Sequence, residues 1–226
     1  MGVPRFPCSA RQSKNLYRFF RVLVNCFARF NPGSSFPCPG KAVPTFYLQV
    51  QGVQMETKGL LMVFTGTGKG KTTAALGMAL RASGHGLPVC VIQFIKGNWR
   101  YGELDALPKL GVELHTMGRG FTWKSDNLDE DRRLALEGWN FARERMGSGR
   151  YHMIILDEFT YLLHYRMLEL APCLETLAQR DPALHLVITG RYAPEPLIEL
   201  ADLVTEMQAV KHPLQQGIKA QRGVEF

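Results

Sequence analysis

The feature that most constrains this chain is a glycine-rich segment, residues 65–72, which lies between an apolar run at 60–64 and a helical pattern. Glycines let backbone N–H groups point at a phosphate without side chains in the way. At the end of the segment, Lys71 can reach phosphate oxygens and Thr72 can bind Mg²⁺. Thr65 replaces the first glycine of the usual motif. We predict a phosphate-binding loop made of Thr65, Gly66, Thr67, Gly68, Lys69, Gly70, Lys71, Thr72 and Thr73.

Strand and helix patterns alternate along the rest of the chain. Short apolar runs predict strands at 60–64, 89–94, 112–115, 153–156, 184–189 and 203–207. Helical patterns lie between them, at 71–82, 128–146, 172–180 and 194–200. The second helical pattern carries one apolar face, formed by Ala135, Trp139, Ala142 and Met146. This alternation predicts a three-layer α/β domain, with helices on both faces of a mainly parallel sheet.

Two carboxylates, Asp157 and Glu158, directly follow the apolar run at 153–156. Ligands collect at the carboxyl ends of strands in open α/β sheets. We predict that these residues bind Mg²⁺ together with Thr72, with Asp157 acting directly or through water and Glu158 as ligand or base. A buried strand that runs into an acidic turn is the alternative. The phosphate loop favours the metal site, because Mg²⁺ needs oxygen ligands.

Residues 1–54 differ in composition from the rest of the chain. Seven of the 27 basic residues and none of the 20 acidic ones lie before residue 56, so the other 171 residues carry 20 of each sign. The net charge of +7 therefore gives the folded part no nucleic-acid signature. We predict that 1–54 is an extension, disordered or translated from upstream of a true start at Met55, and that 55–226 is the functional domain. An organelle transit peptide is the alternative.

The cysteines and the apolar runs indicate where such a protein would work. The five cysteines show no C-x-x-C spacing, so neither a disulfide framework nor a structural zinc site is predicted. The apolar stretch at 19–28 is interrupted by Arg21 and Asn25 and is far shorter than the ~18 residues of a membrane span. We expect a soluble, cytoplasmic protein without a membrane partner.

Several short motifs resemble, in order and spacing, the P-loop type of corrinoid adenosyltransferase. They are residues 65–75 (TGTGKGKTTAA), 93–97 (QFIKG), 120–123 (GFTW), 156–161 (LDEFTY), 188–191 (ITGR), 210–212 (VKH) and 217–221 (GIKAQ). The similarity covers about residues 58–226, and the loop of this family also begins with threonine. The resemblance implies a P-loop NTPase-like (RecA-like) fold. It also implies transfer of the adenosyl group of Mg-ATP to a corrinoid, in adenosylcobalamin biosynthesis or salvage.

The resemblance further implies roles for single residues. Phe121 and Trp123 match an aromatic pair that acts on the corrinoid face and displaces its lower axial ligand. Packing of both rings in the core is the alternative, and it is the commoner fate of such residues. Lys71 and Glu158 are implied as the other catalytic residues. Further nucleotide contacts are implied for two more positions, Lys96 and Arg191.

The family chemistry makes physical sense for such a loop. Reduced cobalt attacks C5′ of the ribose and the whole triphosphate leaves, so a loop and Mg²⁺ that neutralise phosphate suit the leaving group. The resemblance implies a homodimer and a reductase or other electron donor for cobalt. Residues 1–54 show no likeness to the helix that covers the active site in longer members. Two alternatives stay open: a P-loop ATPase or kinase in which Glu158 activates water or a hydroxyl, and a non-catalytic nucleotide- or corrinoid-binding module.

Overall fold

The computed structural model describes residues 58–95, 101–118 and 128–226. Predictions for residues 1–54 and Met55 fall outside these ranges. The described strands are β1 (Leu61–Thr65), β2 (Val89–Gln93), β3 (Glu113–Thr116), β4 (Met153–Asp157), β5 (His185–Thr189) and β6 (Leu203–Glu206). The helices are α1 (Lys71–Gly84), α2 (Gly102–Ala106), α3 (Leu128–Gly147), α4 (Phe159–His164), α5 (Leu170–Ala178) and α6 (Glu195–Leu200), with 3₁₀ turns at Pro108–Leu110 and Pro213–Gln216.

The six described strands form one sheet in the order β3-β2-β4-β5-β1-β6, and all five neighbouring pairs are parallel. Strand β5 lies between β1, which leads into the phosphate loop, and β4, which ends in the carboxylates. One strand between these two is the arrangement of RecA-like domains. The parallel register brings the carboxyl ends of β1, β4 and β5 to one edge of the sheet. The predicted α/β P-loop NTPase-like fold is confirmed.

The two faces of the sheet carry separate apolar clusters. On one face, the ring of Phe159 lies 5.0 Å from that of Trp139 and 5.3 Å from that of Phe94, between centroids. Helix α3 contributes the buried face that its spacing predicts, made of Ala135, Trp139, Ala142 and Met146. On the other face, α1 packs through three small buried residues, Ala75, Ala79 and Ala82. Small side chains let α1 lie close to the sheet, which fixes its first turn beside the loop.

Element boundaries differ from the predicted ones by one or two residues, with two larger departures. Helices α2 and α4 were not predicted, and both are short, at five and six residues. Helix α4 begins after Glu158 and buries Phe159, Thr160, Leu162 and Leu163, a run too short to show helical periodicity. Within residues 58–95, 101–118 and 128–226, no helix combines the length and the apolar character that a membrane span requires.

Candidate nucleotide site

The loop after β1 is shaped by glycines that pack against the segment after β6. A Cβ at Gly66 would stand 2.5 Å from the carbonyl oxygen of Met207, and one at Gly68 would stand 2.8 Å from that of Gln208. The N–H of Gly68 donates to the carbonyl oxygen of Met207 at 2.6 Å. Gly66 and Gly70 adopt φ values of 98° and 109°, which side-chain-bearing residues rarely tolerate. The loop can therefore keep this path only with glycine at these positions.

Lys71 places a cation at the centre of the loop. Its ammonium donates to the carbonyl oxygens of Gly66 at 2.9 Å and Gly68 at 2.6 Å. Burial lowers the pKa of Lys71 from its ordinary value of 10.5, the nearby positive charge of Arg191 lowers it further, and the carboxylate of Glu158 opposes the shift. A ligand that carries several negative charges would be attracted by both cations.

Asp157, the last residue of β4, is fully buried and organises the opposite side of the site. Its Oδ1 accepts hydrogen bonds from the hydroxyls of Thr72 at 2.8 Å and Thr189 at 2.7 Å. Its Oδ2 accepts one from the side-chain amide of Gln93 at 3.2 Å. The carboxylate thus ties the ends of β2, β4 and β5 to the first turn of α1. Removing any one donor would leave a buried charge less well compensated.

Glu158 and Arg191 stand on two strained turns at the same edge of the sheet. Glu158 adopts φ 62°, a left-handed value, and its N–H donates to the hydroxyl of Thr189 at 2.9 Å. Gly190 adopts φ 139°, and a Cβ there would stand 2.1 Å from the hydroxyl of Thr160. That hydroxyl donates to the carbonyl oxygen of Arg191 at 2.6 Å. Strain held by such contacts is common where a structure must aim a side chain.

The donor set fits a magnesium ion that accompanies phosphate. The hydroxyl of Thr72 donates its proton to Asp157, so the lone pairs of its oxygen remain for a cation. Glu158 adds a half-buried carboxylate, and oxygen is the ligand that Mg²⁺ prefers. Asp157 is fully buried and is joined to the Thr72 hydroxyl by this hydrogen bond. A few protein oxygens of this kind are typical of Mg²⁺ sites that are completed by substrate phosphates and water.

The structure brings most of the predicted site residues together. The loop, Lys71, Thr72, Asp157, Glu158 and Arg191 share one edge of the sheet, whereas Thr67, Lys69 and Thr73 are exposed. The ammonium of Lys69 pairs with the carboxylate of Glu225 at 3.1 Å. Lys96, Phe121 and Trp123 lie outside the described residues, so their roles stay predictions.

Two further residues of the site, Thr189 and Gln93, lie in motifs 188–191 and 93–97, which carry the family resemblance, but their bonds to Asp157 were not predicted. Both end a strand, as Asp157 does, and that position, together with the motifs, is the sequence signal that points to them. Gln93 is fully buried, and no donor to its side-chain carbonyl oxygen occurs among the described residues. The polar residues at the carboxyl ends of β2, β4 and β5 thus belong to one shared network.

A glycine loop from β1 to α1, a buried aspartate at the end of β4 and an intervening β5 define a P-loop type nucleotide-binding domain. The chain belongs to the ATP:corrinoid adenosyltransferase BtuR/CobO/CobP family, whose model matches residues 57–226. It is therefore an enzyme of the corrinoid adenosyltransferase class, as the motifs predicted.

Curated relatives carry the same family name. The corrinoid adenosyltransferase of Escherichia coli K12 is 43% identical over 171 residues, which cover 76% of this chain and 87% of that protein. The corrinoid adenosyltransferase of a Sinorhizobium species is 43% identical over 79% of this chain and 85% of that protein. Corrinoid adenosyltransferase CobA of Salmonella typhimurium is 42% identical over 76% and 87%. A solved KaiC-like protein from Pyrococcus horikoshii superposes with a TM-score of only 0.41 at 15% identity, over 68% of this chain and 74% of that one, which adds nothing to these matches.

Proposed function

We propose that this enzyme transfers the 5′-deoxyadenosyl group of ATP to the reduced cobalt of a corrinoid and releases intact triphosphate. The observation that carries the proposal is the family match over residues 57–226, together with a loop and carboxylate network suited to a nucleotide triphosphate. Relatives named corrinoid adenosyltransferase support the choice of acceptor. From the family resemblance we also propose a cytoplasmic homodimer that receives electrons for cobalt from a reductase.

In this reaction an electron pair of cobalt forms the new bond to C5′, the bond between C5′ and the phosphate oxygen breaks, and triphosphate leaves with the electron pair of that broken bond. The chain's task at this end is to stabilise the leaving group. Lys71 and the amides of the glycine loop hold the phosphate oxygens. Arg191 adds a second cation, whose charge acts on Lys71 and lowers its pKa. Charge stabilisation of this kind requires no proton transfer, so no general base is needed.

Thr72, Asp157 and Glu158 are the residues that would hold Mg²⁺. When bound, Mg²⁺ neutralises charge on the triphosphate. Asp157 orients the Thr72 hydroxyl through their 2.8 Å hydrogen bond, and Thr189 fixes both Asp157 and the backbone of Glu158. This network keeps the oxygen donors in place before substrate arrives, which is the preorganisation that electrostatic catalysis uses.

Phe121 and Trp123 are proposed to act at the corrinoid end. Aromatic rings against the lower face of the corrin would displace its axial ligand and make the cobalt easier to reduce. This part of the proposal rests on the resemblance of residues 120–123 to the family motif. It separates the site into a phosphate end, built on the sheet edge, and an aromatic end, assigned to residues 120–123.

The bond that breaks distinguishes this reaction from ordinary P-loop chemistry. The protein is incubated with Mg-ATP and chemically reduced corrinoid, and the products are followed by phosphorus NMR and by the light-sensitive absorbance of the cobalt–carbon bond. We expect triphosphate and adenosylated corrinoid in equal amounts. ADP and orthophosphate as main products, formed without corrinoid, would contradict the proposal and favour an ATPase in which Glu158 activates water. Binding of both substrates without any product would favour a non-catalytic module.

A further inference from the structure

The segment that follows β6, residues 207–226, touches the phosphate loop at two places and has no part in the mechanism above. The first contact lies at its start, where the carbonyl oxygen of Met207 accepts the N–H of Gly68 at 2.6 Å. The second lies near its other end, where the carboxylate of Glu225 pairs with the ammonium of Lys69 at 3.1 Å. Two neighbouring residues of the loop are therefore held from both ends of this segment.

Glu225 is fixed within its own turn as well as by the loop. Its Oε2 accepts the N–H of Gln221 at 2.6 Å, and its own N–H donates to the carbonyl oxygen of Gln221 at 2.9 Å. Its Oε1 faces Lys69, and only 15% of the Glu225 side chain stays exposed. The N–H of Gln221, and after it Lys69, hold the pKa of Glu225 below its ordinary value of 4.5, while burial opposes the shift. Near neutral pH the turn therefore presents an anchored, ionised carboxylate to the loop.

Lys69 occupies a position in the loop where its placement matters for bound phosphate. It lies between Gly68 and Gly70, and Gly70 adopts a left-handed φ of 109°. Glycines on both sides give this part of the backbone little stiffness of its own. The pKa of Lys71, two residues further on, is lowered mainly by burial, and the charge of Lys69 adds to the shift. A carboxylate beside Lys69 offsets the repulsion between these two cations, so the loop can hold both.

We propose that Glu225 is a positioning residue for the phosphate loop and acts through Lys69 to hold the loop in the shape that accepts the triphosphate of ATP. The inference deepens the proposed function and rests on its assignment of ATP as the nucleotide. Lys71 already places an ammonium at the centre of the loop, where it donates to the carbonyl oxygens of Gly66 and Gly68. The pair between Lys69 and Glu225 can therefore persist when the phosphates bind. A carboxylate that its own turn also anchors is suited to a permanent support of the loop.

The test separates support of the loop from simple charge. Glu225→Gln removes the negative charge and keeps a side-chain oxygen that can accept the N–H of Gln221. Electrostatics alone predict tighter binding of the anionic nucleotide, because a negative charge is lost. Positioning predicts the opposite: we expect Mg-ATP to bind about 2- to 5-fold more weakly, the range that partly exposed ion pairs contribute. Affinity is measured by calorimetry without corrinoid, at a salt concentration that screens long-range charge.

A second background shows whether the effect passes through Lys69. Lys69→Met removes the ammonium and should itself weaken Mg-ATP binding, and Lys69→Arg should recover most of that loss. In Lys69→Met, the further change Glu225→Gln should cause no additional loss, because the contact that it breaks is already gone. Glu199→Gln, at an exposed carboxylate of α6, is the charge-matched control and should leave the affinity unchanged. Denaturant midpoints check that each variant is folded.

Three outcomes would overturn the proposal. Tighter binding in Glu225→Gln would mean that the carboxylate competes with the phosphates for Lys69. Unchanged affinity would mean that the pair does not act on the loop. An equal loss in the Lys69→Met background would mean that Glu225 acts through its own turn and not through Lys69. The proposed function is judged separately, by product analysis of the unsubstituted protein: weaker ATP binding in Glu225→Gln, without adenosylated corrinoid from the natural protein, would remove the function and leave the positioning role.

Discussion

At the scale of single residues, Thr189 fixes the carboxylate of Asp157 and the backbone of Glu158. Its hydroxyl donates to Asp157 at 2.7 Å and accepts the N–H of Glu158 at 2.9 Å, so it uses both its donor and an acceptor position. The side chain is fully buried, which leaves water no access to replace either bond. Thr189 is therefore a positioning residue, because it acts on the phosphate site through Asp157 and Glu158.

Replacing Thr189 by valine should damage both stability and magnesium-dependent binding. Valine keeps the shape but leaves a buried carboxylate short of a donor and a backbone N–H short of an acceptor, which costs about 1–3 kcal/mol for such groups. We expect a lower denaturant midpoint and a higher Mg²⁺ concentration for half-maximal ATP binding. Thr189→Ser keeps a hydroxyl at this position, so its Mg²⁺ concentration for half-maximal ATP binding should match that of the natural protein. If valine lowered stability alone, Thr189 would be structural and not a positioning residue.

At the scale of elements, strand β3 is anchored to the sheet by one carboxylate. Glu113 accepts a hydrogen bond from the phenol of Tyr151 at 2.6 Å and lies 2.7 Å from the imidazole Nε2 of His115. Arg145 and Arg150 approach the same carboxylate at 3.3 Å and 3.4 Å. These contacts join β3 to the end of α3 and the start of β4. Strand β3 lies at the edge of the described sheet and pairs with β2 alone. The contacts of Glu113 therefore supply attachment that a second neighbouring strand would otherwise provide.

Cys90, Glu113 and His115 have ligand atoms within 4.8 Å of one another, but the surroundings disfavour a metal. Burial, and after it the charge of Glu113, raises the pKa of the Cys90 thiol to about 12, and only the thiolate is a good ligand. Two guanidinium groups next to the carboxylate repel a further cation. The cluster is therefore a structural ion-pair network between β2, β3 and α3.

The network predicts a specific loss of stability in acid. The phenol of Tyr151, and after it His115 and Arg145, lower the pKa of Glu113 from its ordinary value of 4.5, partly opposed by burial. A lowered folded-state pKa contributes stability that is complete above the unfolded pKa and is lost as pH falls through the folded one. Glu113→Gln should therefore flatten the decline of unfolding free energy below about pH 4.5. It should also lower stability near neutral pH.

Denaturant midpoints measured across acidic pH would check this prediction. Glu137→Gln is a matched control, because Glu137 pairs with Arg133 on the exposed side of α3, where solvent screens the pair and it contributes little to stability. In this control variant, the denaturant midpoint should fall with decreasing pH as it does in the natural protein. If the denaturant midpoints of Glu113→Gln and the natural protein fell equally with decreasing pH, the pKa of Glu113 would not be lowered by folding.

At the scale of the whole molecule, the sequence predicted the layers and the phosphate loop but not the network behind them. Apolar runs bounded by glycine turns locate strands well, so the predicted strands begin and end within a residue or two of the observed ones. The bonds to Asp157 join residues 85, 64 and 32 positions away, from Thr72, Gln93 and Thr189. Only the order of strands in the sheet decides which strand ends meet, and no local pattern encodes that order.

The division of the molecule into a phosphate end and an aromatic end yields the last prediction. Lys71→Ala should abolish ATP binding and transfer, because it removes the cation that the loop carbonyls hold at the centre of the site. Phe121→Ala and Trp123→Ala should leave ATP binding intact and impair only the reduction of cobalt, since these residues are proposed to act on the corrin. Lys109→Ala, at an exposed lysine, serves as the charge-matched control.

The measurement compares ATP binding by calorimetry with the rate of adenosylated corrinoid formation, starting either from corrinoid reduced in the assay or from corrinoid reduced beforehand. Pre-reduction bypasses the step in which the axial ligand is displaced, so it should restore much of the rate in the two aromatic variants. It should not rescue Lys71→Ala. Without the Lys71 cation the charge of the triphosphate is poorly stabilised, so it remains a poor leaving group even when the cobalt is fully reduced. Equal rescue of both kinds of variant would mean that the two ends of the site had been assigned to the wrong residues.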